Sequence, residues 1–146
     1  MFRFRLQAVE TIRRNAEEEA QLKLGREQAI LSKHVARLAM LKEERLQMLA
    51  SLADKERQKV RGSLVQFYME AVRAREVVIK MQENTVAGQQ QVVNRLRDAL
   101  AEAVKRRKTV ELLRNREYER YLAEARKKEQ DEHDEMAVLR HGRAPQ

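Results

Sequence analysis

The distribution of helix-breaking residues is the strongest constraint on the fold of this chain. The single proline, Pro145, stands next to the last of 146 residues, and only 4 glycines are present. Proline inside a helix removes a backbone hydrogen bond and clashes with the preceding turn, so its absence permits helices of great length. So few turn-forming residues do not suffice for the many connections of a β or α/β fold. The sequence therefore predicts an all-α protein.

The composition also argues against a conventional globular core. Aromatic residues make up 4% of the chain, charged residues make up 37%, and tryptophan is absent. This balance is typical of long helices and coiled coils. We expect one domain over residues 1–146. No transmembrane span is expected because no run of about 18 uncharged apolar residues occurs, and no secretory signal peptide is expected because the first residues, 1–6, lack the apolar region that such a signal needs.

Apolar residues in the first part of the chain recur mostly at steps of three and four. They are Val9, Ile12, Ala16, Ala20, Leu24, Leu31, Val35, Leu38, Leu41, Leu49 and Leu52. This spacing predicts a helix over residues 4–57 with a coiled-coil seam along one face. Such a helix is not stable alone in water, so its stripe needs a partner.

The partner stripe is expected in the second half of the chain. Gly62 and Ser63 are good C-cap and N-cap residues and predict a turn there, followed by a short apolar helical segment within residues 58–88. We expect a second break at 84–88 and a second long helix over 89–137.

The last residues, 138–146, lack a seam and are predicted to be a disordered tail.

The turn between the two predicted helices determines how they pair. Two long helices joined by a turn bury their stripes against each other only if they return antiparallel. We therefore predict a long antiparallel two-stranded coiled coil, a helical hairpin.

The search for catalytic or ligand-binding chemistry gives no candidate. The glycines are scattered, so no phosphate-binding loop is present, and there is no cysteine. His34 has no potential ligand three or four residues away, and the charged side chains of residues 131–135 do not converge on a helix. We expect no enzyme activity, no metal, no cofactor and no small-molecule ligand.

The formal net charge is +8, which raises the possibility of an acidic partner or nucleic acid. The basic run 105–108 points in all directions on a helix, and no stacking aromatics accompany it. A solvated face or an acidic protein partner is favoured, with a basic nucleic-acid-binding coiled coil as an alternative.

An apolar run at Phe67-Tyr68-Met69 allows two interpretations. Exposed aromatics and methionines are favoured anchors of protein interfaces. The same side chains would equally serve to plug the apex of the hairpin against Val72 and Ile79.

The N-terminal residues resemble the opening of the FliJ family of flagellar type III export proteins. The residues that carry the resemblance are Phe4, Leu6, Gln7, Val9, Arg13, Glu17, Ala20 and Leu24. The family often has two adjacent aliphatic residues near positions 9 and 10, whereas this chain has Glu10 at the second.

The resemblance implies a fold and a role. FliJ-like proteins are antiparallel coiled coils similar to the central stalk of rotary ATPases. They bind the hexameric export ATPase, promote its assembly, link it to the membrane export gate, and in some members escort export chaperones. The resemblance thus implies a cytoplasmic protein that associates peripherally with the inner face of the membrane at the flagellar base. The alternatives are the stalk of an injectisome secretion system and a generic coiled-coil adaptor.

The resemblance also implies two contact regions. The export-gate contact is expected at Phe67, Tyr68, Ala71 and Val72. The ATPase-ring contact is expected at the end that carries both termini, at Phe4, Leu6, Val9, Arg13, Tyr121 and Arg126.

Overall fold

The computed structural model describes residues 1–142, which form two α-helices joined by a short turn. Helix α1 spans Gln7–Arg57 and helix α2 spans Gly62–Gly142, and no strand occurs in this part of the chain. The two helices pack against each other as a helical hairpin. The all-α prediction and the hairpin prediction are confirmed.

The seam between the helices follows a regular heptad pattern. Buried or half-buried side chains recur at alternating steps of three and four from Glu10 to Lys55 in α1 and from Val65 to Glu117 in α2. A sustained repeat of this kind keeps one face of each helix against its partner. Packing along this seam therefore stabilises both helices more than the helix propensity of their single residues does.

The residues that occupy the α1 seam differ in part from those predicted. Ile12 and Val35 are 62% and 48% exposed, whereas their neighbours Arg13 and His34 lie in the seam. A seam predicted from the spacing of apolar residues selects the aliphatic residues. At one of these positions the contact with α2 is made by the backbone, because the carbonyl of His34 accepts a hydrogen bond from Gln82 Nε2.

Helix α2 is continuous through residues 84–88, so the predicted second break is wrong. α2 begins at Gly62 instead of at residue 89. Val86 and Gln89 hold consecutive seam positions, while Gly88 faces solvent, and a Cβ added to it would have no atom within 4 Å. Glycine in a helix costs about 1 kcal/mol relative to alanine, and the packing of the seam on either side outweighs that cost.

The turn between the helices lies slightly earlier than predicted. Lys59 has a positive φ of 54°, and the backbone N–H groups of Lys59 and Val60 donate to the carbonyls of Glu56 and Lys55. This pair of hydrogen bonds is a Schellman motif with Lys59 at its left-handed position. Gly62, predicted to end α1, is instead the first residue of α2.

The C-terminal end of α2 extends beyond its predicted limit. The helix continues to Gly142, through positions that were expected to belong to a disordered tail. The rest of that predicted tail, residues 143–146, lies outside the described residues.

The described residues group into two compact units. The central unit is Glu19–Leu100, and the terminal unit combines Met1–Glu18 with the described residues from Ala101 onward. In the central unit, Gln82 Nε2 donates to the carbonyl of His34 and Gln89 Nε2 donates to that of Glu27. The α2 number rises as the α1 number falls, so the helices are antiparallel there.

Candidate protein-binding surfaces

The first part of α2 has apolar residues on two faces. One face is the seam, in which Val72 and Ile79 are 6% and 8% exposed. The second face, rotated by about 100° or one residue from the seam, is open to solvent. We call it the open apolar face, and it consists of Phe67, Ala71, Ala74, Val78 and Met81.

The open apolar face is exposed at its two ends and along its middle. Phe67 and Met81 are each 64% exposed, and Val78 is 38% exposed. Ala74 is also exposed, while Ala71 is half-buried. The steps of four, three, four and three match those of a helix seam, yet no helix of the described chain covers these residues.

The two adjacent aromatic residues have different environments. The rings of Phe67 and Tyr68 meet edge to face, with centroids 6.0 Å apart. Tyr68 is half-buried at a seam position, whereas Phe67 points to solvent. Each of the two interpretations of the aromatic run therefore applies to one residue: Tyr68 packs within the hairpin, and Phe67 is available as an anchor.

The structure places the four predicted gate-contact residues on two faces of α2. Phe67 and Ala71 belong to the open apolar face, but Val72 is buried in the seam and is closed to a partner. Sequence reasoning did not select Ala74, Val78 and Met81 for this surface. The steps of four and three that start at Phe67 are the sequence signal that could have identified them.

Polar groups border the open apolar face on the side of α1. A groove beside Tyr68 is lined on α1 by Met48 and by the polar side chains of Glu44, Gln47 and Ser51. Arg75 crosses it to form a salt bridge with Glu44, at 2.9 Å. A partner on this surface therefore meets apolar side chains along α2 and hydrogen-bonding groups along α1, which is the usual anatomy of an interface core and rim.

The terminal unit contains a fully buried carboxylate in its seam. Glu10 is 0% exposed, and its Oε1 lies 2.6 Å from Arg14 Nη2 and 3.0 Å from Arg114 Nη1. Its Oε2 has no hydrogen-bond partner. A buried carboxylate is strongly destabilising unless it is paired. The two guanidinium groups thus make Glu10 tolerable at a position suited to an aliphatic residue.

A second cluster of charges continues this pattern. Arg107 donates to both Glu17 and Glu111, and Arg14 Nη2 lies 3.5 Å from Glu111 Oε1. The hydrogen bond from Arg107 lowers the pKa of Glu111, and that to Glu17 raises the pKa of Arg107. We call the whole set the ionic seam, and it consists of Glu10, Arg14, Glu17, Arg107, Glu111 and Arg114.

The predicted ATPase-ring residues all belong to the terminal unit, but they differ in exposure. Phe4 is buried, whereas Leu6, Val9 and Arg13 are half-buried. Tyr121 and Arg126 are exposed. The former group supports the packing of the unit, and the latter pair is accessible to a partner.

An aromatic cluster in the terminal unit was not predicted. Phe2 lies 5.2 Å from Tyr118 and 5.5 Å from Tyr121, measured between ring centroids. Three of the chain's six aromatic residues therefore meet at one place. Tyr118 and Tyr121 are 46% and 37% exposed, so the cluster is also a surface.

The remaining chemistry of the described residues is limited. Across residues 1–142, no three histidine or acidic side chains come together as metal ligands would. Neither α1 nor α2 contains, in its described length, an apolar stretch sufficient to cross a membrane. What the structure offers to a partner is surface: apolar on α2 of the central unit and aromatic in the terminal unit.

Comparison with known proteins identifies the family. A family model described as the flagellar FliJ protein matches residues 1–146, the whole of the chain. Neither a curated protein nor a solved structure matches the chain. The match extends the resemblance first noted in the N-terminal residues over both helices of the hairpin. The chain belongs to the FliJ family, and it is a component of the flagellar type III protein-export apparatus.

Proposed function

We propose that this protein is the stalk of the flagellar export apparatus. It binds the hexameric export ATPase through the terminal unit, promotes assembly of the hexamer, and binds the membrane export gate through the open apolar face. It acts in the cytoplasm, at the inner face of the membrane. Family membership supplies the apparatus, and the open apolar face is the observation that carries the proposal.

The open apolar face is well suited to a single protein partner. Side chains of a helix that repeat at steps of three and four fit the groove or stripe of a second amphipathic segment. Binding energy in such interfaces is concentrated in a few large side chains near the centre. Phe67 and Met81, each 64% exposed, are the large side chains on this face. We assign the gate contact to them, with Ala71, Ala74 and Val78 allowing close approach.

The ATPase contact is assigned to the exposed groups of the terminal unit. Tyr121 and Arg126 lie on α2, and the ring of Tyr121 contacts that of Phe2 in the aromatic cluster. Escort of empty export chaperones is a further role within the same apparatus.

The test separates the two contacts by matched substitutions. Phe67→Ala and Met81→Ala are each expected to weaken binding to the purified cytoplasmic part of the export gate by tenfold or more. Both variants are expected to retain normal stimulation of the export ATPase. Tyr121→Ala with Arg126→Glu is expected to give the opposite pattern. Gate binding is measured by calorimetry and stimulation by phosphate release.

The control is Leu46→Ala, because Leu46 is 57% exposed but lies on α1 and lines a different groove, with Lys80 and Glu83. It is expected to bind the gate as the wild type does. Equal loss in the Leu46 and Met81 variants would contradict the assignment, as would a loss of helicity in the Phe67 variant.

A further inference from the structure

The α1 border of the open apolar face becomes apolar with distance from the turn. Near the turn the border is polar and includes Gln47 and Glu44. Met40 lies seven residues before Gln47, and Ile30 lies fourteen residues before Glu44. Residues seven apart in a coiled coil occupy the same side of the helix, so Met40 and Ile30 continue the same border. These two side chains are 64% and 39% exposed.

The open apolar face also continues along α2 beyond its last member. Steps of four, three and four from Met81 lead to Thr85, Gly88 and Val92, and none of these residues is charged. Thr85 and Gly88 are exposed, and Val92 is half-buried. The uncharged stripe over residues 67–92 is therefore about 37 Å long, at about 1.5 Å per residue. We call the space between this stripe and the α1 border the long groove.

Two contacts between the helices place Met40 level with the middle of the long groove. Arg75 Nη1 lies 2.9 Å from Glu44 Oε2, and Gln82 Nε2 donates to the carbonyl of His34 at 3.0 Å. Met40 lies between His34 and Glu44 on α1, so it is level with the stretch between Arg75 and Gln82 on α2. A helix is about 10 Å wide with its side chains, so one that packs on this stretch in the groove also contacts Met40.

A third contact between the helices places Ile30 beside a glycine of α2. Gln89 Nε2 donates to the carbonyl of Glu27 at 3.1 Å. Ile30 lies one turn of α1 from Glu27, and Gly88 adjoins Gln89, so Ile30 and Gly88 are at similar levels. A Cβ added to Gly88 would have no atom within 4 Å. The groove is therefore open at this level, and a large side chain of a partner helix fits beside Ile30.

The α1 edge of the long groove is basic. Lys33 lies seven residues before Met40, and Arg37 lies seven residues before Glu44. Both side chains are exposed. A helix in the groove therefore has one edge next to positive charge. Electrostatic complementarity favours a partner with acidic side chains along that edge.

We infer that the long groove binds one amphipathic helix as the third member of a helical bundle. The inference rests on the proposed function, because the helix is taken to belong to the export gate. Its apolar stripe packs on the open apolar face and its continuation, and it also contacts Met40 and Ile30 of α1. Acidic side chains follow the edge next to Lys33 and Arg37. The whole groove accommodates a helix of about 25 residues, at about 1.5 Å per residue.

The first test determines whether α1 contributes to gate binding. In calorimetry, Met40→Ala is expected to weaken binding to the purified cytoplasmic part of the export gate about fivefold, because it removes a large exposed side chain from the groove. Leu46→Ala is the matched control, because Leu46 is 57% exposed on α1 but lines a different groove. It is expected to bind as the wild type does. Circular dichroism is expected to show unchanged helicity in both variants.

The outcomes of this test separate the inference from the proposed function. Weakened binding of Phe67→Ala together with normal binding of Met40→Ala would mean that the gate contacts α2 alone. That result would overturn the third-helix inference and leave the proposed function standing. Normal binding of both variants would contradict the proposed function as well. Equal loss in the Met40 and Leu46 variants would also overturn the inference, since the two grooves would then be equivalent.

The second test addresses the acidic edge of the partner helix. Lys33→Glu is expected to weaken gate binding about tenfold at low salt, and the effect is expected to shrink at high salt. Lys42→Glu makes the same change of charge on α1 but in the other groove, and it is expected to have a much smaller effect. If the two variants bind equally, the general charge of the chain drives the association and the acidic edge is wrong.

The third test maps the partner helix by photo-crosslinking. The photoreactive residue p-benzoylphenylalanine replaces Ile30 or Phe67, one at a time, in the full chain mixed with the cytoplasmic part of the gate. Both are expected to capture one continuous segment of the gate, at points roughly 20 residues apart on a helix. Val35, which is 48% exposed and lies seven residues before Lys42 of the other groove, is the control position and is expected to capture nothing. Capture from Val35 equal to that from Ile30, or separate gate segments at Ile30 and Phe67, would overturn the inference.

Discussion

Glu10 and Arg114 form an ion pair across the two helices, with 3.0 Å between Glu10 Oε1 and Arg114 Nη1, although the Glu10 side chain is completely buried. They are separated by 104 residues in the chain. A shift of the helices by one heptad would separate Glu10 from Arg114 and leave a buried carboxylate with one fewer partner. The pair therefore specifies the register of the hairpin, as single polar residues do in other coiled coils.

Breaking this pair from one side is expected to cost more than removing it altogether. Arg114→Leu should lower the free energy of unfolding by about 1–3 kcal/mol, because it leaves the buried Glu10 with Arg14 alone. The double variant Glu10→Leu, Arg114→Leu should recover most of that loss, since both charges are gone. Urea unfolding followed by circular dichroism measures both. A double variant less stable than Arg114→Leu would refute this account.

The ionic seam is expected to make stability depend on pH through Glu111. The Arg107 hydrogen bond lowers the pKa of Glu111 from its ordinary value of 4.5 in the folded chain. The unfolded chain therefore takes up this proton at a higher pH than the folded chain does. The stabilisation is present above about pH 4.5 and is lost as pH falls through the lower folded value. Glu111→Gln should be less stable than the wild type at pH 7, and in urea unfolding the difference should shrink as the pH falls below 4.5. A difference independent of pH would contradict this.

Replacement of the glycine within α2 is expected to stabilise the protein. Gly88 faces solvent, has no positive φ, and has room for a methyl group. Gly88→Ala should raise the free energy of unfolding by about 0.5–1 kcal/mol, because alanine is the better helix former. Gly25→Ala in α1 is a matched case and should behave alike. A loss of stability in the Gly88 variant would indicate a break in the helix there.

At the left-handed residue of the turn, the introduction of a glycine is expected to stabilise the protein. Lys59 adopts a φ of 54°, which costs a side-chain-bearing residue roughly 1 kcal/mol. Lys59→Gly should therefore raise the free energy of unfolding by about 0.5–1 kcal/mol, measured by thermal and urea unfolding. Gln58→Gly is the control, because Gln58 lacks a positive φ, and it should give no gain.

The two faces of α2 are expected to respond differently to truncation. Val72→Ala should lower the free energy of unfolding by about 1–2.5 kcal/mol, because it removes buried methyl groups from the seam. Phe67→Ala removes a larger side chain but should change stability by less than about 0.5 kcal/mol, since Phe67 is exposed. A large loss of stability in the Phe67 variant would assign that ring to the core.

The hairpin itself could be predicted from the sequence because both helices carry a stripe at steps of three and four. The first helix was predicted over residues 4–57 and is Gln7–Arg57. The predicted break at 84–88 rested on local preferences of asparagine and glycine. Those preferences are worth about 1 kcal/mol, and the seam positions of Val86 and Gln89 outweigh them.

The ionic seam could not be assigned from the sequence, although its charges were visible there. In the sequence, a charged residue such as Arg107 or Glu17 interrupts the apolar stripe. It can be assigned to the seam only when its partner on the other helix is known. The partner depends on register, which a count of apolar residues leaves open. Phe67 was identified because aromatic residues are rare in this chain, whereas Met81 was not, because its role follows only from the exposure of its face.

A seam built from carboxylate and guanidinium groups has a consequence for how the terminal unit comes apart. When two apolar surfaces separate, each can bind apolar surfaces of other molecules until the two pack together again. When Glu17 separates from Arg107, water solvates both groups at once and neither becomes adhesive. Opening of these charged layers therefore exposes less apolar surface to other molecules than opening of an aliphatic seam would.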